Sequence, residues 1–238
     1  MGKNKSAWLI IAETNLHVGD ESVNNYGVID LSIQRNPLTG IPCIHSSSLK
    51  GAIKEYISEK WNKEIEYNKV DCKKVFGSEK GGKDEDTKKG EAIFFDAELL
   101  ALPVQDTDGK YYFKLAYDSE GVIQPFSEKL KKMGVDVETD ILSKICGAVG
   151  IKEDQKIDKK NKFNELCNNE NLPIIARNCL KNGESDNLWY EQVLPAKSVL
   201  GTLIDTDDDN LVEAMNGKII QIGANATIGY GYCNFVKL

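Results

Sequence analysis

Arginine is scarce in this chain of 238 residues, where Arg35 and Arg177 stand against 28 lysines. Lysine is a flexible point charge and the guanidinium a rigid fork matched to phosphate or carboxylate, so both arginines are candidates for positions where geometry matters. Net positive charge is also missing. With 30 basic and 37 acidic side chains the formal charge is −7, which excludes a general nucleic-acid coat and leaves room only for a local basic groove. The six cysteines include no C-x-x-C pair, so neither a zinc ribbon nor a dithiol redox motif is expected and the thiols read as reduced. The start, MGKNKSAWLIIAET, reads as a short strand rather than a leader, and the expected location is the cytoplasm. Apolar runs such as WLIIA fall far short of the roughly 20 residues of a membrane-spanning helix, so no membrane partner is expected.

Cofactor and catalytic motifs are equally thin. Gly223, Gly229 and Gly231 are spaced unlike a dinucleotide fingerprint and sit between two strands, which speaks against a nucleotide cofactor. The two histidines, His17 and His45, lie on separate loops and assemble no triad order. No carboxylate cluster suggests a two-metal site; Asp30 stands alone in its segment, with Asp20 and Glu21 in the loop before it.

What is present is an irregular alternation of strands and helices with no repeat, and 41% apolar residues, enough for a core without disulfide or metal. Residues 7–14 predict a buried strand, and 27–35 an extended segment with Ile29, Leu31 and Ile33 on one face and Asp30 turned away. Leu49, Ala52, Ile53, Tyr56, Ile57 and Trp61 lie on one helical face, behind three serines that can supply the N-cap. Residues 78–89 lack apolar side chains and read as a mobile loop. Strands at 91–104 and 110–117 flank a DTDG turn, helices are expected at 125–133 and 140–149, and an NGES turn joins two further strands. A strand at 198–204, a short helix opened by the acidic run 205–209, and two strands around ANATIGYG complete an α+β pattern.

Two features are suited to an anion or a backbone. The helix starting near Ser48 has a positive dipole end with Lys50 in its first turn, which reads either as a phosphate site or as a capped helix with a surface lysine. The terminal glycines permit close approach of another chain, RNA included, or form an ordinary tight turn.

Several strings together carry a resemblance: HVG, GVIDLSIQRNPLTGIPCIHSSSLKGAIKEY, FFDAELLALPV, LWYEQVLP and IGANATIGYGY. They resemble the backbone subunit of type III-B CRISPR effector complexes, the Cmr-type member of the RAMP superfamily. The second block, IDxxIQRxxxTGxPxIxxSSLKG, is specific; the type III-A form shares the aspartate and SSLKG, but IQR and LWYExxLP look more like III-B. The resemblance implies a single domain over 1–238 with a modified ferredoxin-like (RRM-like) core and palm and thumb β-hairpin insertions. Copies would stack as a helical filament along a guide RNA, beside other Cmr-type subunits, with target RNA paired to the guide. The thumb, matched here to the hairpin at 174–190, interrupts that pairing and flips a nucleotide out. Asp30 matches the aspartate that serves target cleavage with a divalent metal, Mg²⁺ or Mn²⁺; His17 matches the HxG segment, Lys50 the lysine by the guide backbone, and Gly223, Gly229 and Gly231 the G-loop.

The chain is shorter than family members chiefly between Tyr117 and Pro173, implying a reduced palm, and Ala226 stands where other members can carry glutamate. The expected function is a guide-RNA-binding backbone subunit of a metal-dependent endoribonuclease complex. Lys50, Lys54, Arg35 and Arg177 would supply the basic groove, with Ser48 beside it, and the ribose 2′-hydroxyl would attack its own adjacent phosphate. The alternative is a non-catalytic RNA-binding scaffold in which Asp30 only hydrogen-bonds a loop.

Overall fold

The apolar run that opens the chain becomes the middle of a sheet. The computed structural model describes residues 4–20, 29–58, 70–78, 88–137, 140–158 and 162–238. Their strands are β1 (Asn4–Ala12), β2 (Cys43–Ile44), β3 (Ile93–Phe94), β4 (Ala97–Val104), β5 (Lys114–Tyr117), β6 (Lys156–Asp158), β7 (Ile174–Lys181), β8 (Glu184–Gln192), β9 (Val199–Thr206), β10 (Lys218–Gln221) and β11 (Tyr232–Lys237). Their helices are α1 (Ser46–Ile57), α2 (Cys72–Phe76), α3 (Gln124–Lys132), α4 (Ile141–Val149), α5 (Phe163–Leu166) and α6 (Asp209–Met215).

The main sheet runs β10-β11-β1-β9-β4-β5-β6, with β2 beside β4 and β3 beside β9. Every pairing is antiparallel except β5 with β6. All eight residues of β9 are buried, as are residues 6–12 of β1, so both faces of the central strands are covered and alternation disappears there. Cover comes partly from α1, which packs near β3 and β10, and from α4 near β1. A mixed α+β architecture follows, as expected.

The hairpin β7–β8 stands apart as a two-stranded sheet. Its turn, Asn182-Gly183, has φ of 54° and 87°, the positive values that match a two-residue turn to the twist of its strands. Most of its residues are exposed until Trp189, after which Glu191 and Gln192 are buried.

The structure departs from the sequence expectations at several points. Residues 29–35 make isolated bridges rather than a strand, and Ile33 is buried while Leu31 is 44% exposed. The reason is that Leu31 pairs with Glu191 of the hairpin, outside the sheet, and Ile33 turns to the core. Helix α1 begins at Ser46 with His45 as N-cap, and no serine caps it. Asp96 does so from across the chain, accepting from the Ser46 N–H at 2.7 Å. The expected end of that helix at Trp61 lies outside the described residues. So does most of the 78–89 loop, whose ends meet where the Ser78 N–H donates to the Lys88 carbonyl at 3.0 Å. The acidic run splits: Asp205 is buried in β9, and α6 starts at Asp209 with Asp208 accepting from two N–H groups. All six cysteines are free thiols, and burial pushes Cys43, Cys167 and Cys233 up to about 12, away from reactive thiolate.

Central β9 carries one glycine because a ring lies on it. A Cβ at Gly201 would sit 2.6 Å from both the Phe126 ring and a Leu100 methyl. Gly201→Ala is expected to overpack this point and cost about 1–3 kcal/mol, read as a lower urea midpoint; an unchanged midpoint would mean that α3 shifts freely over the sheet.

Candidate nucleic-acid interface

At the foot of β8, residues 190–192 pass from the exposed hairpin into the body of the protein, and each meets a different predicted site residue. Tyr190 meets Asp30. Its N–H donates to Asp30 Oδ2 at 2.8 Å, and its carbonyl accepts from the N–H groups of Asp30 and Leu31, both at 3.1 Å. Gln192 N–H then donates to the Leu31 carbonyl at 2.9 Å, so the Asp30 segment rides as a short added strand on the hairpin foot. Asp30 itself is exposed.

Glu191 is 3% exposed, and its carboxylate is surrounded by donors. Oε1 accepts from Trp189 Nε1 at 2.7 Å and Oε2 from Asn225 Nδ2 at 2.8 Å, with Arg177 Nη1 3.5 Å away. The Arg177 guanidinium lies 5.8 Å from the Trp189 ring centre and 6.0 Å from that of Tyr230, within cation–π range of both. Arg177 is therefore a tie between the hairpin foot and the glycine-rich loop rather than a projecting cation.

Gln192 is fully buried. His17 Nδ1 lies 2.7 Å from its carbonyl, which only accepts, so Nδ1 carries the proton. His17 is buried too, and its own carbonyl accepts from Ala224 N–H in the glycine-rich loop at 2.9 Å. The Gln192 amide oxygen lies 3.4 Å from Arg35 Nη2, while Arg35 Nη1 donates at 2.7 Å to the carbonyls of both Gly40 and Cys167. Burial lowers the Arg35 pKa, the mark of a guanidinium removed from water.

Two of the loop glycines are required by contact as well as by conformation. Gly223 (φ +80°) and Gly231 (φ +77°) approach the carbonyls of His17 and Ile222 so closely that a Cβ would fall 2.2 and 1.9 Å from the oxygens. Gly229 ends the short helical turn between them in open space.

A cleft of about 630 Å³ opens between this loop and α1, lined among others by Gln34, Ser48, Gly51, Glu55, Gly223 and Tyr232. Gln34 orders its rim, donating to Ser48 Oγ at 2.9 Å and accepting from His45 N–H at 2.7 Å. Lys50 and Lys54, one turn apart on α1, are not among the residues that line the cleft. At the start of α1 the first N–H is already satisfied by Asp96, a negative group where a phosphate was one of two expectations. Seven of the predicted residues thus meet around this loop and hairpin foot; Gly229 belongs to the loop but faces open space, and Lys50 and Lys54 lie on α1.

Among the described residues no three His, Cys, Asp or Glu side chains come together to hold a metal ion. Asp30 has one oxygen committed to Tyr190, which does not fit a resident ion caged by protein. The other Asp30 oxygen is a single carboxylate ligand, a set that suits only an ion keeping most of its waters, as Mg²⁺ does.

Glu191, Gln192, Gln34 and Asn225 lie within the strings that carry the resemblance but are not among the site residues named from them. The available signal was the string LWYEQVLP, where a polar pair interrupts an apolar run at a place bound for the interior, and buried polar groups demand partners.

With this geometry in view, the sequence pattern of the RAMP superfamily matches residues 9–234. The chain belongs to the RAMP superfamily. It is similar to the CRISPR system Cmr endoribonuclease Cmr4 of Pyrococcus furiosus, 24% identical over 278 aligned positions that span 92% of this chain and 90% of that one. A shorter match, 33% identical over 112 positions (45% of this chain, 50% of the other), is to the CRISPR system Cms endoribonuclease Csm3 of Streptococcus thermophilus. Among solved structures, a type III-B Cmr-beta complex bound to cognate target RNA contains a chain with TM-score 0.72 and 19% identity, covering 99% of this chain and 98% of that one. Oligomeric Cmr4 from Pyrococcus furiosus gives TM-score 0.66 at 21% identity, over 100% and 99% of the two chains. These likenesses establish that this RAMP protein has the Cmr4 fold.

The clamp on Arg35 yields a prediction. Arg35→Ala leaves the Gly40 and Cys167 carbonyls without their donor and is expected to cost about 1–3 kcal/mol of stability, measured by urea unfolding. A wild-type midpoint combined with weakened guide-RNA binding would place this arginine on RNA instead.

Proposed function

We propose that this chain is the guide-RNA-binding backbone subunit of a type III-B CRISPR ribonucleoprotein that cleaves complementary RNA at regular intervals. Family membership along nearly the whole chain supports the reading. The observation that carries it is the exposed Asp30 carboxylate held by the Tyr190 N–H at the foot of a separate hairpin. A hairpin that interrupts a duplex needs its reacting group at its base, where the displaced nucleotide leaves the stack. In this reading the sheet is a modified ferredoxin-like (RRM-like) core with a reduced palm, residues 174–190 act as the thumb, and the site is completed in the cytoplasm by filament formation with guide RNA and other Cmr-type subunits.

Guide binding would be to backbone shape, leaving sequence to base pairing. Lys50 and Lys54, on the helix that lines the cleft, would follow the phosphates, and the open space beside Gly229 would admit the backbone. For cleavage, a flipped nucleotide places its 2′-oxygen in line with the bond from phosphorus to the 5′-oxygen. The 2′-oxygen forms a bond to phosphorus as the 5′-oxygen leaves, giving a 2′,3′-cyclic phosphate and a 5′-hydroxyl protonated by solvent. Asp30 orients the 2′-hydroxyl, whose proton passes to solvent, and its oxygen not engaged by Tyr190 would hold the divalent ion. A divalent ion bound beside it would neutralise charge on the phosphate. His17, buried with Nδ1 on the Gln192 carbonyl, contributes position rather than proton transfer.

Asp30→Asn tests the assignment, because the amide oxygen can still accept from Tyr190. In a complex reconstituted with guide RNA, single-turnover cleavage is expected to fall by orders of magnitude while target binding persists and stability stays within about 0.5 kcal/mol. Cleavage at the wild-type rate would leave a non-catalytic scaffold. EDTA is expected to stop the wild-type reaction and Mg²⁺ or Mn²⁺ to restore it; insensitivity to EDTA would remove the cation. Lys50→Glu is expected to weaken guide binding and make its salt dependence shallower by about one unit of slope per lost phosphate contact; unchanged binding would take Lys50 off the RNA.

A further inference from the structure

We infer that Glu191 is a positioning residue for cleavage: it locks the hairpin foot to the glycine-rich loop and so fixes the N–H group that holds Asp30. The inference rests on the cleavage reading above. Glu191 is itself too buried, at 3% exposure, to touch RNA, and its contacts are to protein donors. Those donors come from two places. Trp189 and Arg177 belong to the two strands of the hairpin, where they are paired neighbours, and Asn225 belongs to the loop. Asn225 is held in the left-handed region at φ 67°, so its side chain has a fixed origin from which to reach Glu191.

The link to Asp30 is one residue long. Asp30 is gripped entirely through the backbone of Tyr190, by Oδ2 on its N–H and by its own N–H on the carbonyl. Strand β8 cannot shift at Glu191 without moving that grip. The rest of the hairpin lacks comparable anchors: residues 178–188 are exposed and pair only with one another across the turn. Force applied by RNA at the tip therefore reaches the body of the protein through the foot, where the carboxylate sets the registration. A buried carboxylate tied to an arginine is seldom the most stable filling for its space, and the best-attested use of such groups is to specify one arrangement among several.

Glu191→Gln keeps an oxygen for Trp189 but turns an amide N–H₂ toward the N–H₂ of Asn225 and removes the charge facing Arg177. In the reconstituted complex, single-turnover cleavage at saturating target is expected to fall roughly 10- to 100-fold, the size of a small misplacement of a reacting group. Guide and target affinities should stay at wild-type values. The double variant Glu191→Gln/Asn225→Asp reverses donor and acceptor, restores a carboxylate near Arg177, and should recover most of the rate. If Glu191→Gln does not assemble, Asn225→Gly cuts the same link while keeping the left-handed backbone, and it should show the same loss.

A wild-type cleavage rate in whichever of these variants assembles overturns the inference. So does a loss of thermal stability and of assembled complex with an unchanged rate per assembled complex, or failure of the double variant to recover activity. Asp30→Asn measured in parallel separates the two levels. If it is inert and Glu191→Gln cuts normally, only the positioning role falls; if Asp30→Asn cuts normally, the cleavage reading falls and this inference with it.

Discussion

Polar groups taken out of water must find partners, and at residues 190–192 three consecutive residues do so with three different parts of the chain. Tyr190 uses its backbone on Asp30, Glu191 its carboxylate on Asn225 and the Trp189 indole, and Gln192 its carbonyl on His17. A strand entering a protein interior normally satisfies its backbone on a neighbouring strand. Here the neighbour beyond β7 is only the short Asp30 segment, so side chains and loops supply what a full strand would. That substitution is what gathers residues as distant in sequence as His17, Asp30, Arg35, Arg177 and Gly223 around one foot. The hairpin can project because this foot is fixed.

Both arginines turn out to serve this junction. Arg35 donates from Nη1 to the carbonyls of Gly40 and Cys167 beside Gln192, and Arg177 lies within cation–π range of two aromatic rings next to Glu191. The scarcity of arginine therefore did mark places where geometry matters, but the acceptors seen are protein groups. In the proposed reading Lys50 on α1 would track a phosphate backbone, which a chain of net charge −7 can do with positive potential along one groove.

Elements governed by local periodicity were legible in the sequence. Strand β1, the helices α3 and α4, the Asn182-Gly183 hairpin and the two final strands around the glycine-rich loop all lie where pattern and turn chemistry place them. Elements governed by distant partners were not. The cap of α1 comes from Asp96, fifty residues away, which no local reading of three serines reveals. The strands β2, β3 and β6 are two or three residues long and exist through the sheet they join. Asp30 and His17 were assigned a role through motif; Tyr190 and Gln192, which hold them, and Glu191 between those two lie in the string LWYEQVLP, but what they do depends on the burial of the last two residues of β8, which local sequence does not show.

The chemistry inferred for Asp30 leaves a signature on the product that does not depend on any variant. A complex reconstituted from this chain, its partner subunits and a guide, given complementary RNA, should yield fragments at regular intervals. Each upstream fragment should end in a 2′,3′-cyclic phosphate and each downstream fragment begin with a 5′-hydroxyl. Fragments ending in 3′-hydroxyl and 5′-phosphate, or cuts without regular spacing, would contradict attack by the 2′-hydroxyl at a site repeated with every copy of the hairpin.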